Sequence, residues 1–311
     1  MTALICGSMA YDNIMVFEDR FKRHILPDKL DILNVSFLVP GMRREFGGCA
    51  GNIAYGLTQL GGRGLPMSTV GNDFGPYAER LEACAIDVRH ITTIDDAFTA
   101  QAFIITDLDD NQITAFHPGA MNHSQVNRTT DVDGVTVAIV SPDGRDGMLQ
   151  HARTLSESGV PFIFDPGQGM PMFDGEELKR FLEQATWVTV NDYEWELLSE
   201  RTGFSTQDVL ERVEALLVTK GGKGSVIHTR NGSLEVAAVQ SSKVVDPTGC
   251  GDAYRAGLLY GLMNDMGWDV SGRIASLMGG IKITHPGTQN YRLVPGEIED
   301  RYKESFGHSL R

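Results

Sequence analysis

Cysteine is scarce in this chain of 311 residues. Its four thiols, Cys6, Cys49, Cys84 and Cys250, stand far apart, so neither a disulfide framework nor a zinc-type spacing is present. Positive charge is also short. The 27 Lys and Arg face 41 Asp and Glu, and the net charge of −14 argues against nonspecific binding to nucleic acid or to an anionic membrane. No apolar run reaches membrane-spanning length, and no basic start followed by a long apolar stretch opens the chain. With reduced thiols, these absences lead us to expect a cytoplasmic protein. The phosphate-loop pattern Gly-x-x-x-x-Gly-Lys-Ser/Thr is missing, as are internal repeats and low-complexity tracts. What remains is 41% hydrophobic and 22% charged, a globular composition with length for one large α/β domain or two small ones.

Short apolar runs recur along the chain, and each ends in polar or glycine-rich residues. Residues 3–9 read as a buried strand that stops at Ala10-Tyr11-Asp12-Asn13. Residues 14–45 are mixed, with breaks at Pro27, Pro40 and Gly41. The stretch from Phe46 through Gly47, Gly48, Cys49, Ala50 and Gly51 to Asn52 opens a helix, with Ile53, Ala54, Leu57 and Leu60 on one face. Further strands are predicted at 65–70, 135–140, 161–164, 187–190 and 216–219, with a hairpin of 100–108 and 112–116 around Asp109-Asp110-Asn111. Strands alternating with helices, with polar signals after strand ends, predict a mostly parallel sheet that binds ligands at its carboxyl edge. The hairpin and the irregular early stretch break the alternation and are candidates for a small β lid.

The most informative stretch is Asp246-Pro247-Thr248-Gly249-Cys250-Gly251-Asp252. A strand-like run at 243–245 enters a glycine turn, and an apolar helix pattern follows. Such a turn aims backbone N–H groups and a helix dipole at one point, which suits an anion. A carboxylate there, Asp252, repels that anion unless it takes a proton from a hydroxyl while the turn holds a phosphoryl group in transfer. The alternative is an ordinary helix start with an acidic first turn. Gly47, Gly48 and Asn52 offer close backbone approach and a donor–acceptor pair to a hydroxylated ring, and Asp12 offers two oxygens to a diol. A plain helix start and a plain turn aspartate explain the same residues.

In order and spacing, these motifs resemble the ribokinase-like, or PfkB-type, family of sugar and nucleoside kinases across nearly the whole chain. The resemblance implies a three-layer α/β/α sandwich with a mostly parallel sheet and a small β-sheet lid. It treats 1–311 as one kinase domain, with lid segments at about 14–45 and 99–120. It implies that Asp252 is the catalytic base and that Gly249, Cys250 and Gly251 form the anion hole, although the family usually has Ala where Cys250 stands. It gives Asp12, Gly48 and Asn52, with Gln112 and Phe116 of the hairpin, to the substrate. Asn191, Thr219, Gly221, Gly224, His285 and Thr288 fall to ATP. The resemblance further implies that Glu194 organises Mg2+ through water and that Asp246 and Thr248 hold a monovalent cation such as K+.

Sugar kinases of the family usually carry Asn where this chain has Ala10, whereas the stretch from Arg44 to Asn52 and Ala115-Phe116-His117-Pro118-Gly119-Ala120 look more like adenosine and broad nucleoside kinases. The expected activity is therefore ATP- and Mg2+-dependent phosphorylation of the 5′-hydroxyl of a ribonucleoside of adenosine, inosine, guanosine or cytidine type. A ribokinase- or fructokinase-type sugar kinase is the alternative, and a non-catalytic nucleoside sensor is a third reading. The expected partners are nucleoside and ATP, without nucleic acid or membrane, and a second copy paired through the lid.

Overall fold

The computed structural model describes residues 1–25, 34–109, 111–241, 243–294 and 296–310. The chain begins with β1 (Ala3–Cys6), then enters a second sheet through β2 (Ala10–Val16) and β3 (Met42–Gly47). It returns through α1 (Cys49–Gln59) to β4 (Gly64–Val70), α2 (Gly75–Ala83) and β5 (Ile91–Thr93). The second sheet is completed by β6 (Ala100–Thr106) and β7 (Gln112–His117). Alternation then follows: β8 (Val137–Val140), α3 (Arg145–Glu157), β9 (Phe162–Phe164), α4 (Gly175–Gln184), β10 (Trp187–Asn191), α5 (Asp192–Thr202), α6 (Thr206–Leu210) and β11 (Ala215–Thr219). A hairpin of β12 (Ser225–Thr229) and β13 (Gly232–Val236) precedes α7 (Cys250–Met263), α8 (Trp268–Lys282) and α9 (Glu297–Phe306).

The main sheet has nine strands in the order β13-β12-β11-β10-β9-β8-β1-β4-β5. Its ladders are parallel from β11 to β5, and the two ladders at the other edge, β11–β12 and β12–β13, are antiparallel. Along β1, Ala3 and Ile5 join the apolar layer of α1, α7 and α8, while Leu4 and Cys6 join that of α3 and α4. Both faces are covered, which is why such strands are continuous apolar runs rather than alternating ones. This is the expected α/β/α sandwich.

The small sheet runs β3-β2-β6-β7, with β2 and β6 parallel and the outer pairs antiparallel. It corrects one expectation: Ala10, Tyr11, Asp12 and Asn13 are not a turn but the start of β2, paired with β3 and β6. Residues 243–245 are not a strand either; Val245 and Asp246 donate their N–H groups to Ile283 O instead. The break expected at Pro27 and the hairpin residue Asp110 lie outside the described residues.

Candidate active site

The turn before α7 has the geometry its glycines suggested. Gly249 is left-handed at φ 76°, and a Cβ there would stand 2.8 Å from Thr288 Cγ2. Among the described residues the N–H groups of Gly249, Gly251 and Asp252 have no protein acceptor, and they point from the start of a helix of 14 residues. Cys250 differs from expectation, because its N–H already donates to Pro247 O at 3.2 Å. Burial pushes its thiol up to about 11, Asp246 and Asp252 add to that, and Lys282 opposes it, so Cys250 is no thiolate nucleophile.

Asp252 sits in the first turn of α7 on the cleft floor. Asn52 of α1 donates from Nδ2 to Asp252 Oδ2 at 2.8 Å. The orientation of Asn52 is fixed from behind, since Gln289 donates from Nε2 to Asn52 Oδ1 at 3.0 Å and to the Tyr77 hydroxyl at 2.6 Å. Tyr77 in turn donates to Gly47 O at 2.8 Å. Burial pushes Asp252 up to about 6, and Asp165 adds to this, against the hydrogen bonds of Asn52 and Cys49 and the charge of Arg255. The helix terminus alone would have held it lower; burial wins, but the group is still mostly ionised at neutral pH.

Beneath this floor Arg255, one turn along α7, makes a two-pronged pair with Asp165, Nε to Oδ2 at 2.9 Å and Nη2 to Oδ1 at 2.8 Å. The side chains are 7% and 3% exposed, so the pair is a rigid buried strut under the turn.

Asp12 of β2 faces the same cleft, and a Cβ on Gly47 would lie 2.6 Å from its Oδ2. Burial, then Asp246 and Glu45, push Asp12 up to about 6. Gly48, at φ 85°, lets the chain cross 2.5 Å from Ser8 O, measured from where its Cβ would stand. Its lack of a side chain thus serves chain crossing. The cleft measures about 680 Å³, with Asp12, Gly48, Asn52, Gly249, Gly251 and Asp252 on its polar side. Ala102, Ile104, Phe116 and Met121 with Met172 form an apolar side.

Gln112 does not reach this cleft. It has the parity of Thr114 and Phe116 on β7 but lies four residues before Phe116, about 13 Å at the usual strand rise, and is paired with Thr106. Asn191 and Thr219 are register partners at the ends of β10 and β11, outside the cleft wall on the same sheet edge. Asn191 caps α5 in a reciprocal pair with Glu194, which uses Glu194 Oε2. Burial and the charge of Asp165 raise the Glu194 pKa, against the Asn191 N–H and Arg255. Gly221 and Gly224 are left-handed, and a Cβ on Gly224 would meet Val236 O at 2.1 Å. Thr288 lines the cleft, whereas the His285 ring packs toward Ile281 O and Tyr291.

The monovalent cation expected at Asp246 and Thr248 does not fit. Asp246 Oδ1 accepts from Thr248 N and Oδ2 from Gly287 N, both at 2.9 Å, and Lys282 Nζ already donates to Asp246 O at 2.6 Å. A metal ion there would meet an ammonium. The sequence reading also missed Asp143, which lines the cleft wall at 1% exposure. Its Oδ1 accepts from Gly144 N at 2.8 Å, its Oδ2 has no partner among the described residues, and burial pushes it up to about 8.

A model of the family described as "pfkB family carbohydrate kinase" matches residues 13–294. The chain belongs to the pfkB family of carbohydrate kinases. This pfkB kinase is a phosphotransferase with an alcohol group as acceptor. It is 34% identical over 258 residues to a nucleoside kinase of Methanocaldococcus jannaschii, covering 82% of this chain and 85% of that protein. The structure of Burkholderia thailandensis nucleoside kinase in complex with inosine superposes with a TM-score of 0.90 at 51% identity, over 99% of each chain. The same enzyme in complex with ADP-inosine gives 0.88 at 52% identity, over 99% of this chain and 97% of that one.

Proposed function

We propose that this pfkB kinase transfers the γ-phosphoryl group of ATP to the 5′-hydroxyl of ribonucleosides of adenosine, inosine, guanosine or cytidine type. The observation that carries the reading is the Asn52–Asp252 pair at the floor of a cleft whose far side is apolar. A base stacks on Phe116 and the methionines for roughly 1–3 kcal/mol, and a free sugar, with a hydroxyl on nearly every carbon, has less apolar surface to bury there. The similarity to nucleoside kinases, one of them solved with inosine, supports the same reading.

Asp12 accepts from the ribose diol, and Asn52 retains one N–H and one lone pair for a sugar hydroxyl. Asp252 takes the 5′-hydroxyl proton as the acceptor oxygen bonds the γ-phosphorus and the bond from that phosphorus to the bridging oxygen breaks, releasing ADP, while the N–H groups of Gly249 and Gly251 hold the transferring phosphoryl oxygens. Asn191, Thr219, Gly221, Gly224 and Thr288 border the path for ATP. Mg2+ fits Glu194, whose Oε1 has no hydrogen-bond partner among the described residues and could reach an ion through water. Glu194 would hold the ion through water, and the ion would supply positive charge to the phosphates. The free cysteines fit a cytoplasmic setting. Exposed Met42, Phe103 and Ile113, with β7 as an open edge, support a homodimer through the small sheet, and a monomer at micromolar concentration in light scattering contradicts it.

The test is ADP release with inosine, adenosine, guanosine, cytidine, ribose and fructose. Nucleosides are expected to exceed both sugars in kcat/KM; ribose or fructose turned over far better than every nucleoside overturns the reading.

A further inference from the structure

Lys282 ends α8 and is fully buried at 0% exposure. A buried ammonium is costly unless acceptors surround it. Its Nζ donates to Asp246 O at 2.6 Å and to His285 O at 3.3 Å, and stands 4.0 Å from Asp246 Oδ1. These acceptors belong to two separate loops. One carries Asp246 into Gly249; the other carries His285 to Thr288, whose methyl group packs against Gly249. The Asp246 carboxylate bridges the same two loops through Thr248 N and Gly287 N. A single ammonium therefore fastens the turn that presents the anion-binding N–H groups to the loop that backs it. Two carbonyl oxygens and a carboxylate are hard donors, the set that an alkali-metal ion takes when no ammonium is present.

We propose that Lys282 is a built-in cation. It is a positioning residue that holds the 246–249 turn and the 285–288 loop in register for phosphoryl transfer, and it makes catalysis independent of a monovalent metal ion. The proposal rests on the reading of the Gly249 turn as the phosphoryl-transfer site. Removing the side chain to alanine leaves a hole lined by Asp246 O, His285 O and the Asp246 carboxylate, sized by the lost ammonium and stem. Replacing it by methionine fills the hole without charge.

The experiment compares wild type, Lys282→Ala and Lys282→Met in chloride salts of potassium, sodium and choline at equal ionic strength. Rates are measured with inosine and ATP–Mg2+, and melting temperatures without substrate. Wild-type kcat is expected to be the same in all three salts within about twofold. In choline chloride both variants are expected to lose about tenfold or more in kcat, as on loss of a group that preorganises an anion site, with a much smaller change in nucleoside KM. Potassium is expected to restore Lys282→Ala several-fold and to raise its melting temperature above that in choline chloride, and to do neither for Lys282→Met. Stimulation of the wild type by potassium overturns the proposal. So does a Lys282→Ala enzyme that keeps wild-type turnover, or one that slows yet gains neither rate nor melting temperature from potassium. Because the melting measurements need no substrate, they answer for Lys282 even if no nucleoside is phosphorylated, which would instead sink the proposed function.

Discussion

Replacing Asp252 by asparagine changes one atom at the floor of the cleft. Asn52 can still donate to the remaining oxygen, so shape and the Gln289–Asn52 chain survive. What is lost is the basic oxygen, and its replacement NH2 points a donor where a proton has to be received. A positioned general base contributes roughly 10²–10⁴ in rate, which is ~3–5.5 kcal/mol of barrier. Nucleoside affinity should move little, because Asp12, Gly48 and Asn52 still hold the ring. The pH dependence gives a second check. In the proposed role Asp252 acts when ionised, and burial raises its pKa to about 6 in the free enzyme, so wild-type kcat should show an acid limb and be flat above it. Asp12 titrates in the same range, so saturating nucleoside is used and that group enters KM rather than kcat. Asn52→Ala removes a hydrogen bond that favours the charged form, and should move the limb up by roughly one unit. Stopped-flow or coupled ADP assays over pH 5–9 on folded protein measure all of this. An Asp252→Asn enzyme within a few-fold of wild type, or one that keeps the acid limb in kcat, refutes the assignment.

Gly249→Ala should lower kcat by about tenfold or more and destabilise the protein by about 1–2 kcal/mol, because it forces a left-handed side chain against Thr288; steady-state rates and urea melts check both. Arg255→Met leaves Asp165 charged and buried, at a cost of about 3–5 kcal/mol in urea unfolding, and Asp165→Asn in the same chain should recover much of it. Asp143 binds its proton more tightly folded than unfolded, since its pKa rises from 3.8 to about 8. Its stabilising share is therefore full below pH 4 and lost as pH rises toward 8. Asp143→Asn should accordingly gain stability relative to wild type between pH 5 and 8, by at most about 4 kcal/mol, and a pH-independent difference in thermal melts contradicts this.

The main sheet was legible because its strands are buried on both faces and therefore written as unbroken apolar runs between glycine-rich signals. The Gly249–Asp252 stretch was legible as a turn opening a helix because its left-handed backbone needs glycine, a local requirement. Strand β2 was not. Asp12 and Asn13 read as a turn until Asn13 is seen buried, donating to Gln101 Oε1 and accepting from Arg44 Nε, partners that are 88 and 31 residues away. Gln112 had the correct strand parity, but distance along a hairpin depends on register, which no short pattern gives. A lysine ending a helix, Lys282, reads as a surface partner of the helix dipole; only the fold of two loops over it makes it a buried fastener. The orienting residue Gln289 acts on Asn52 across 237 residues and on Tyr77 across 212, a link invisible to local spacing.

The central claim concerns one oxygen, the 5′-hydroxyl, and proton-coupled 31P NMR reads it directly. After incubation of wild-type enzyme with inosine and ATP–Mg2+, the new phosphomonoester should couple to the two H5′ protons and show a triplet. A doublet, the signature of phosphate on the 2′ or 3′ oxygen, contradicts the account, as does a sample in which ATP is consumed but no nucleoside phosphate forms.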